Sequence, residues 1–207
     1  MRKDGIVKLL TRESPWGTLF AERRNYEYGY FVEEGRLVER YLIKKNQSIL
    51  VIGSGNGREA HPICHDGHRI VCIDIGLLYL VVGRRLFATE NIESVTFVQA
   101  DMRCLPFVQD AFDFIFFSLY CWASESRFAV LRGLHHLLHR NGTVLLTTVT
   151  PRYEVLTPHV DAEKRIIFSD IEELEKEVSS CGFDLLESAV DAERSEYRFS
   201  MLRARVM

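Results

Sequence analysis

The chain has 207 residues, 47% of them hydrophobic and 27% charged, with a formal net charge of −3 at pH 7. That length suits one domain with at most a modest appendage, and the composition supports a full apolar core under a solvated surface. Acids and bases are mixed along the whole chain with no basic stripe, which argues against a phosphate backbone as the main partner. The longest apolar runs, such as Ile75 to Val82, fall far short of the ~20 residues that cross a bilayer.

The opening Met1-Arg2-Lys3-Asp4-Gly5 leads into no apolar segment of a secretory signal, so a cytoplasmic location is expected. Residues 1 to 30 are polar, with aromatics at Trp16, Phe20, Tyr26, Tyr28 and Tyr30. Phe31, Leu37, Val38, Tyr41 and Leu42 then fall at helical spacing and predict a helix over 31–43. Ser48 to Ile52 (SILVI) is short and almost wholly apolar, the pattern of a strand buried on both faces of a parallel sheet. It runs into Gly53-Ser54-Gly55-Asn56-Gly57, after which a helix is predicted from near Arg58. Arg69 to Ile73 is the second strand, stopped by Asp74, and Leu77 to Thr89 the next helix. Val95 to Gln99 and Phe112 to Phe117 are the third and fourth strands. A helix over Ser126 to His139 and a fifth strand over Thr143 to Val149 complete the alternation.

Strands alternating with helices predict a parallel sheet with right-handed crossovers and a ligand at the carboxyl ends of the strands. After the fifth strand the pattern changes. Residues 151–168 read as irregular, with Pro151 and Pro158. A charged helix follows over Ser169 to Ser180, capped by Ser169 or Asp170 and stopped by Gly182. Phe183 to Val190 and Glu196 to Val206 read as an antiparallel pair.

Three features carry chemistry. The glycine-rich turn after the first strand lets backbone approach a ligand closely and presents free amides. Asp74, closing the second strand, can take two hydrogen bonds from a ribose diol. Dinucleotide enzymes place an acid similarly, but they favour GxGxxG, and Arg58 stands where that pattern wants its third glycine. Gln99-Ala100-Asp101-Met102 follows the third strand, where an acid can accept an adenine amine and the next amide can donate to the ring. Asp113 opens the fourth strand, a further recurring position.

With these residues in place the chain resembles the class I S-adenosylmethionine-dependent methyltransferases. SILVIGSGNGREA, RIVCIDIG, FVQADMRCLPF, AFDFIFFSLY and RNGTVLLTTV stand in that family's order and spacing, and the likeness runs from about Phe31 to Met207. The resemblance implies an α/β, Rossmann-like fold: a seven-stranded, mostly parallel sheet with an antiparallel last strand and helices on both faces. It implies one methyltransferase domain over 1–207. Within it, 1–45 is an N-terminal helical or lid segment, 46–150 the cofactor-binding core and 151–207 the acceptor-side connection, last helix and strand pair. The implied cofactor is S-adenosyl-L-methionine. Its methionyl part would lie on Gly53, Ser54 and Gly55 in the loop completed by Asn56 and Gly57, its ribose on Asp74, and its adenine between Ile75 and Asp101-Met102. Ser118 and Tyr120 would face the methyl group and acceptor. Many members carry an acid two residues before the first glycine to hold the cofactor's amino group. Val51 stands there in this chain, leaving Glu59 or a loop carbonyl for that task.

The remaining features are weighed against simpler readings. His61, Cys64, His65 and His68 crowd together, but a helix and a turn would divide them, so no metal is expected. His135 and His139, one helical turn apart, lack a third ligand and read with His136 as solvated or capping side chains. The five cysteines are odd in number without a CxxC pair, so reduced structural thiols are expected. Arg23-Arg24 and Glu33-Glu34 read as a solvated face. The aromatics Trp16, Tyr26, Tyr28 and Tyr30 are either packing or a lid. Together with Tyr153 and His159 of the long connection, Trp16, Tyr26, Tyr30 and Tyr120 are the candidate walls of the acceptor pocket. If the acceptor arrives protonated, Tyr120 and His159 are candidate bases.

The expected activity is methyl transfer to an O or N atom of a small molecule or peptide. The (D/N)PP(Y/F) signature of amino-methylating nucleic-acid enzymes is absent, because the fourth strand runs into Ser118-Leu119-Tyr120-Cys121. A non-catalytic protein that binds the cofactor or a partner is the alternative, favoured by Val51. A nicotinamide-dependent oxidoreductase is disfavoured by the glycine spacing.

Overall fold

The computed structural model describes residues 29–118, 126–152 and 170–206. Helix α1 spans Val32–Tyr41, and strand β1 spans Ser48–Ile52. Strand β2 (Arg69–Asp74), helix α2 (Leu77–Thr89), β3 (Val95–Gln99) and β4 (Phe112–Phe117) follow. Helix α3 is Ser126–Leu137, β5 Leu138–Val149 and α4 Ile171–Ser180; β6 (Phe183–Val190) and β7 (Tyr197–Ala204) end the described chain. The seven strands form one sheet in the order β3-β2-β1-β4-β5-β7-β6. Strands β1 to β5 pair in parallel, whereas β7 lies antiparallel between β5 and β6.

The apolar run of β1 explains its central place. Successive side chains of a strand point to opposite faces, so Ile49 and Val51 enter one core while Leu50 and Ile52 enter the other. The first core is closed by Leu37 and Val38 of α1, Ala60 and Ile63 of the segment after the glycine turn, and Phe87 of α2. The second is closed by Val130, Leu131, Leu134 and Leu137 of α3 with Leu174 and Val178 of α4. Asp170 caps α4, its carboxylate accepting the Glu172 amide at 2.8 Å. The amino-terminal turn of α1 is held from across the sheet: the Glu33 amide donates to buried Asp191 at 2.9 Å in the turn between β6 and β7.

Two elements depart from the sequence reading. The helix predicted from Arg58 does not form; the chain goes through turns and a short 3-10 segment, His61–Ile63. Pro62 is the physical reason, because it brings no N–H for an i→i−4 bond and its ring crowds the preceding turn. Strand β5 starts at Leu138, so His139 lies in the strand and not one helical turn above His135. Asn141 takes a φ of 63° at this junction, and the β4–β5 register shifts between Phe112 and Phe114. His135 instead meets the Arg205 carbonyl at 3.1 Å and the edge of the Phe183 ring. Among the described residues no helix is long and apolar enough to cross a membrane.

Candidate functional site

The glycine turn leaves β1 at the carboxyl edge of the sheet, where its ends are tied to its neighbours. The Ser54 amide donates to the Ile73 carbonyl at 3.0 Å, and the Ser118 amide to the Ile52 carbonyl at 3.3 Å. Gly53, Gly55 and Gly57 all have positive φ, at 70°, 53° and 90°, a region costly for residues with a Cβ. They are not equivalent. A Cβ on Gly57 would lie 3.0 Å from both the Phe87 and Phe97 rings, whereas one on Gly55 would meet no described atom within 4 Å. Gly57 thus belongs to the packing, and Gly55 faces open space. The turn also leans on α2, where a Cβ on Gly83 would sit 2.7 Å from the Asn56 carbonyl oxygen and 2.6 Å from the Phe97 ring.

Asp74 faces this turn from the end of β2. Its Oδ2 accepts the Gly55 amide at 3.0 Å and its Oδ1 the Gly76 amide at 2.8 Å. Burial pushes its carboxyl above the ordinary value, and the amides of Gly76, Gly55 and Ile75 oppose that rise. Ile75 beside it is 67% exposed, a large apolar side chain held out at the sheet edge. Asp101 and half-buried Met102 follow β3, and the Ala100 amide pins this loop to the Asp74 carbonyl at 3.1 Å. Arg103 clasps both Asp101 oxygens, and these hydrogen bonds hold the Asp101 carboxyl down to about 2. An adenine amine would share that carboxylate with Arg103.

The structure therefore brings Gly53, Ser54, Gly55, Asn56, Gly57, Asp74, Ile75, Asp101, Met102 and Ser118 to one edge of the sheet. Asp113 is not among them: it stands at the opposite edge, accepting the Ser48 amide at 2.8 Å. Trp16, Tyr26, Tyr28, Tyr120, Tyr153 and His159 lie outside the described residues. Tyr30 packs inward, stacked on Phe116 with ring centroids 6.1 Å apart and its hydroxyl donating to the Glu59 carbonyl at 3.0 Å. Burial, then Glu34 and Glu59, push its phenol up, so it stays protonated.

Glu34 overturns the expectation of a solvated face. It is 1% exposed, and Arg58 grips it with both terminal nitrogens, at 2.7 and 3.0 Å. Arg58 also donates to the Gly29 carbonyl at 2.7 Å and to Glu59 at 2.7 Å, with its guanidinium 4.7 Å from the centre of the Phe31 ring. Burial works against the charge on Arg58, but the two carboxylates outweigh it and raise its pKa. Glu59 in turn accepts the Ser118 hydroxyl at 2.7 Å. Sequence reading named Glu59 but missed its pairing with Arg58 and Glu34, and it missed Gly83; a glycine inside a predicted helix, costing ~1 kcal/mol against alanine, was the available sign of close approach. Of the crowded histidines, His61 meets Glu90 at 2.8 Å, while buried His68 accepts the Gln47 amide at 3.2 Å.

The arrangement fits a nucleoside-bearing cofactor. Gly55 leaves room that a side chain would fill, and Asn56 Nδ2 is buried without a partner in the same turn. The sheet order separates this chain from dinucleotide enzymes, whose six strands run 3-2-1-4-5-6; here antiparallel β7 is inserted beside β5.

Comparison with known proteins points the same way. Residues 49–142 match a family described as a methyltransferase domain. The chain is 29% identical over 108 residues to the ubiquinone/menaquinone biosynthesis C-methyltransferase UbiE of Coxiella burnetii, covering 50% of this chain and 43% of that protein. It therefore spans less than half the length of that relative. Among solved structures, the [4+2]-cyclase SpnF has a TM-score of 0.71 at 16% identity, covering 84% of this chain and 80% of that one. A protein titled a putative sarcosine dimethylglycine methyltransferase, from Galdieria sulphuraria, has a TM-score of 0.66 at 13% identity, with 83% of each chain covered. At such identities these two likenesses show the fold.

Proposed function

We propose that this chain, whose residues 49–142 match a methyltransferase domain, is a class I S-adenosylmethionine-dependent methyltransferase that transfers the cofactor's methyl group to an O or N atom of a small molecule or peptide. The observation that carries the reading is the junction of the Gly53–Gly57 turn with Asp74, joined by the Gly55 amide at 3.0 Å. S-adenosylmethionine bound there supplies a methyl group on a sulfonium, open to in-line displacement. Asp74 would hold the ribose diol, the Gly53–Gly57 turn the methionyl chain, and Ile75 would pack on the adenine. The Ser118 end of β4 borders the reacting centre. Much of the acceleration in such a displacement comes from holding donor and acceptor in near-attack geometry, and this edge of the sheet is pinned at both strand ends.

Carbon is the second acceptor reading, favoured by the C-methyltransferase name of the Coxiella relative. A third, binding without transfer, draws support from the cyclase among the fold neighbours, since one fold hosts many functions. Native mass spectrometry of the purified protein tests the cofactor: retained S-adenosylmethionine or its demethylated product is expected, and a retained nicotinamide cofactor would overturn the reading. Incubation with methyl-labelled cofactor and panels of hydroxyl, amine and enol acceptors then tests the acceptor. Label confined to carbon would move the assignment from O or N to C, and label in none of them would favour the binding protein.

A further inference from the structure

The cofactor's amino-acid end carries an ammonium group, and the position from which the family offers it an acid is filled by Val51, 0% exposed in the core. We propose that Glu59 is the carboxylate that receives this ammonium group, an inference that rests on the cofactor reading above. Its position fits. Glu59 follows the glycine turn, is 4% exposed and accepts the Ser118 hydroxyl at 2.7 Å. The Ser118 carbonyl oxygen lies 3.5 Å from where a Cβ on Gly53 would be, so the carboxylate stands beside the gap between the ends of β1 and β4.

Charge makes the same argument. Arg58 forms a bidentate pair with Glu34, which also accepts the Phe31 amide at 3.1 Å. That pair is closed, and Glu59 keeps one contact to the same guanidinium. Among the described residues, two buried carboxylates therefore share a single cation. An uncompensated buried charge is costly, and a ligand ammonium supplies what is missing. Consecutive residues do not face one another on a helix. The turns that replace the predicted helix are what allow Arg58 and Glu59 to meet. Ser54, buried in the glycine turn, adds a second acceptor through its hydroxyl. An ammonium has three donors to place.

Isothermal titration of S-adenosylhomocysteine, its desamino analogue and methylthioadenosine, into wild type and Glu59→Gln, tests the assignment. Wild type is expected to bind S-adenosylhomocysteine ~10–100-fold more tightly than the desamino analogue, the range of a hydrogen bond to a charged group. Glu59→Gln should erase that margin and leave methylthioadenosine, which lacks the amino-acid end, at its wild-type affinity. A variant that keeps the margin, or that weakens all three ligands alike, would overturn the proposal. Should the variant fold poorly, equal binding of the first two ligands by wild type would overturn it equally well. Failure of wild type to bind any of the three would overturn the cofactor reading itself, and this inference with it.

Discussion

At the scale of single residues, the glycines of the turn divide by what a side chain would meet. Gly57→Ala would add a Cβ at φ 90° against two packed rings. It should cost ~2–4 kcal/mol of stability, combining left-handed strain with overpacking. Gly55→Val meets open space and should cost only the ~1–2 kcal/mol of strain, while losing at least ~10-fold in affinity for S-adenosylhomocysteine. Denaturant unfolding and calorimetry on the two variants check the contrast. A normal affinity in Gly55→Val would remove the turn from the methionyl site. Asp74→Ala should weaken cofactor binding by ~1.5–3 kcal/mol, the range for a charged hydrogen bond. Burial raises the Asp74 carboxyl, so its ionised, ribose-accepting form is lost earlier on acidification than that of an exposed aspartate. Wild-type affinity should therefore fall as pH drops through that raised value, and Asp74→Ala should show no such fall. Parallel pH profiles would remove Asp74 from the ribose contact.

At the scale of elements, the turn is placed by α2 as much as by β1. Gly83 lets the helix backbone approach Asn56, and the nearest atoms to an added Cβ include the Asn56 carbonyl oxygen and carbon at 2.7 and 2.9 Å. Backbone yields less easily than a side-chain tip. Gly83→Ala gains ~1 kcal/mol of helix propensity but suffers an overpacking cost of ~1–3 kcal/mol. The expected net is a small loss of stability together with a displaced turn and weaker cofactor binding. Urea unfolding beside calorimetry measures both, and an unchanged affinity would mean that the turn holds its shape without α2. Pro62 acts on the neighbouring element. By stopping the predicted helix it leaves Arg58 and Glu59 in turns, and Arg58 then links the turn to α1 through Glu34.

At the scale of the whole molecule, the site draws on the ends of β1, β2, β3 and β4 and on helices packed to the sheet face, so ligand binding should stabilise the fold globally. A ligand at 100 times its Kd adds ~2.7 kcal/mol. For a domain of this size that raises Tm by roughly 5–10 °C. Thermal unfolding with S-adenosylhomocysteine should show this shift, and NAD at equal concentration should show none. The reverse outcome would return the chain to the dinucleotide enzymes, against its strand order.

The strands, the glycine turn and the acids at the ends of β2 and β3 are legible in the amino-acid sequence. Their signals are local: β1, β3, β4 and β6 stand at the predicted bounds because apolar runs and turn residues decide them within a few positions. The resemblance also anticipated the antiparallel insertion of β7, which the sheet order bears out. The burial of Glu34 and Glu59 emerges from packing alone. Glu34 reads in the sequence as part of a solvated face and Glu59 as a candidate for the cofactor's amino group, and both are buried because Arg58, distant from Glu34 in the chain, reaches across to satisfy them. The missing helix after the turn belongs with them: Pro62 stood in the sequence, but the family spacing suggested a helix through it. The conflict was settled by backbone hydrogen bonds that proline cannot donate and by a buried ion cluster that turns, not a helix, can assemble.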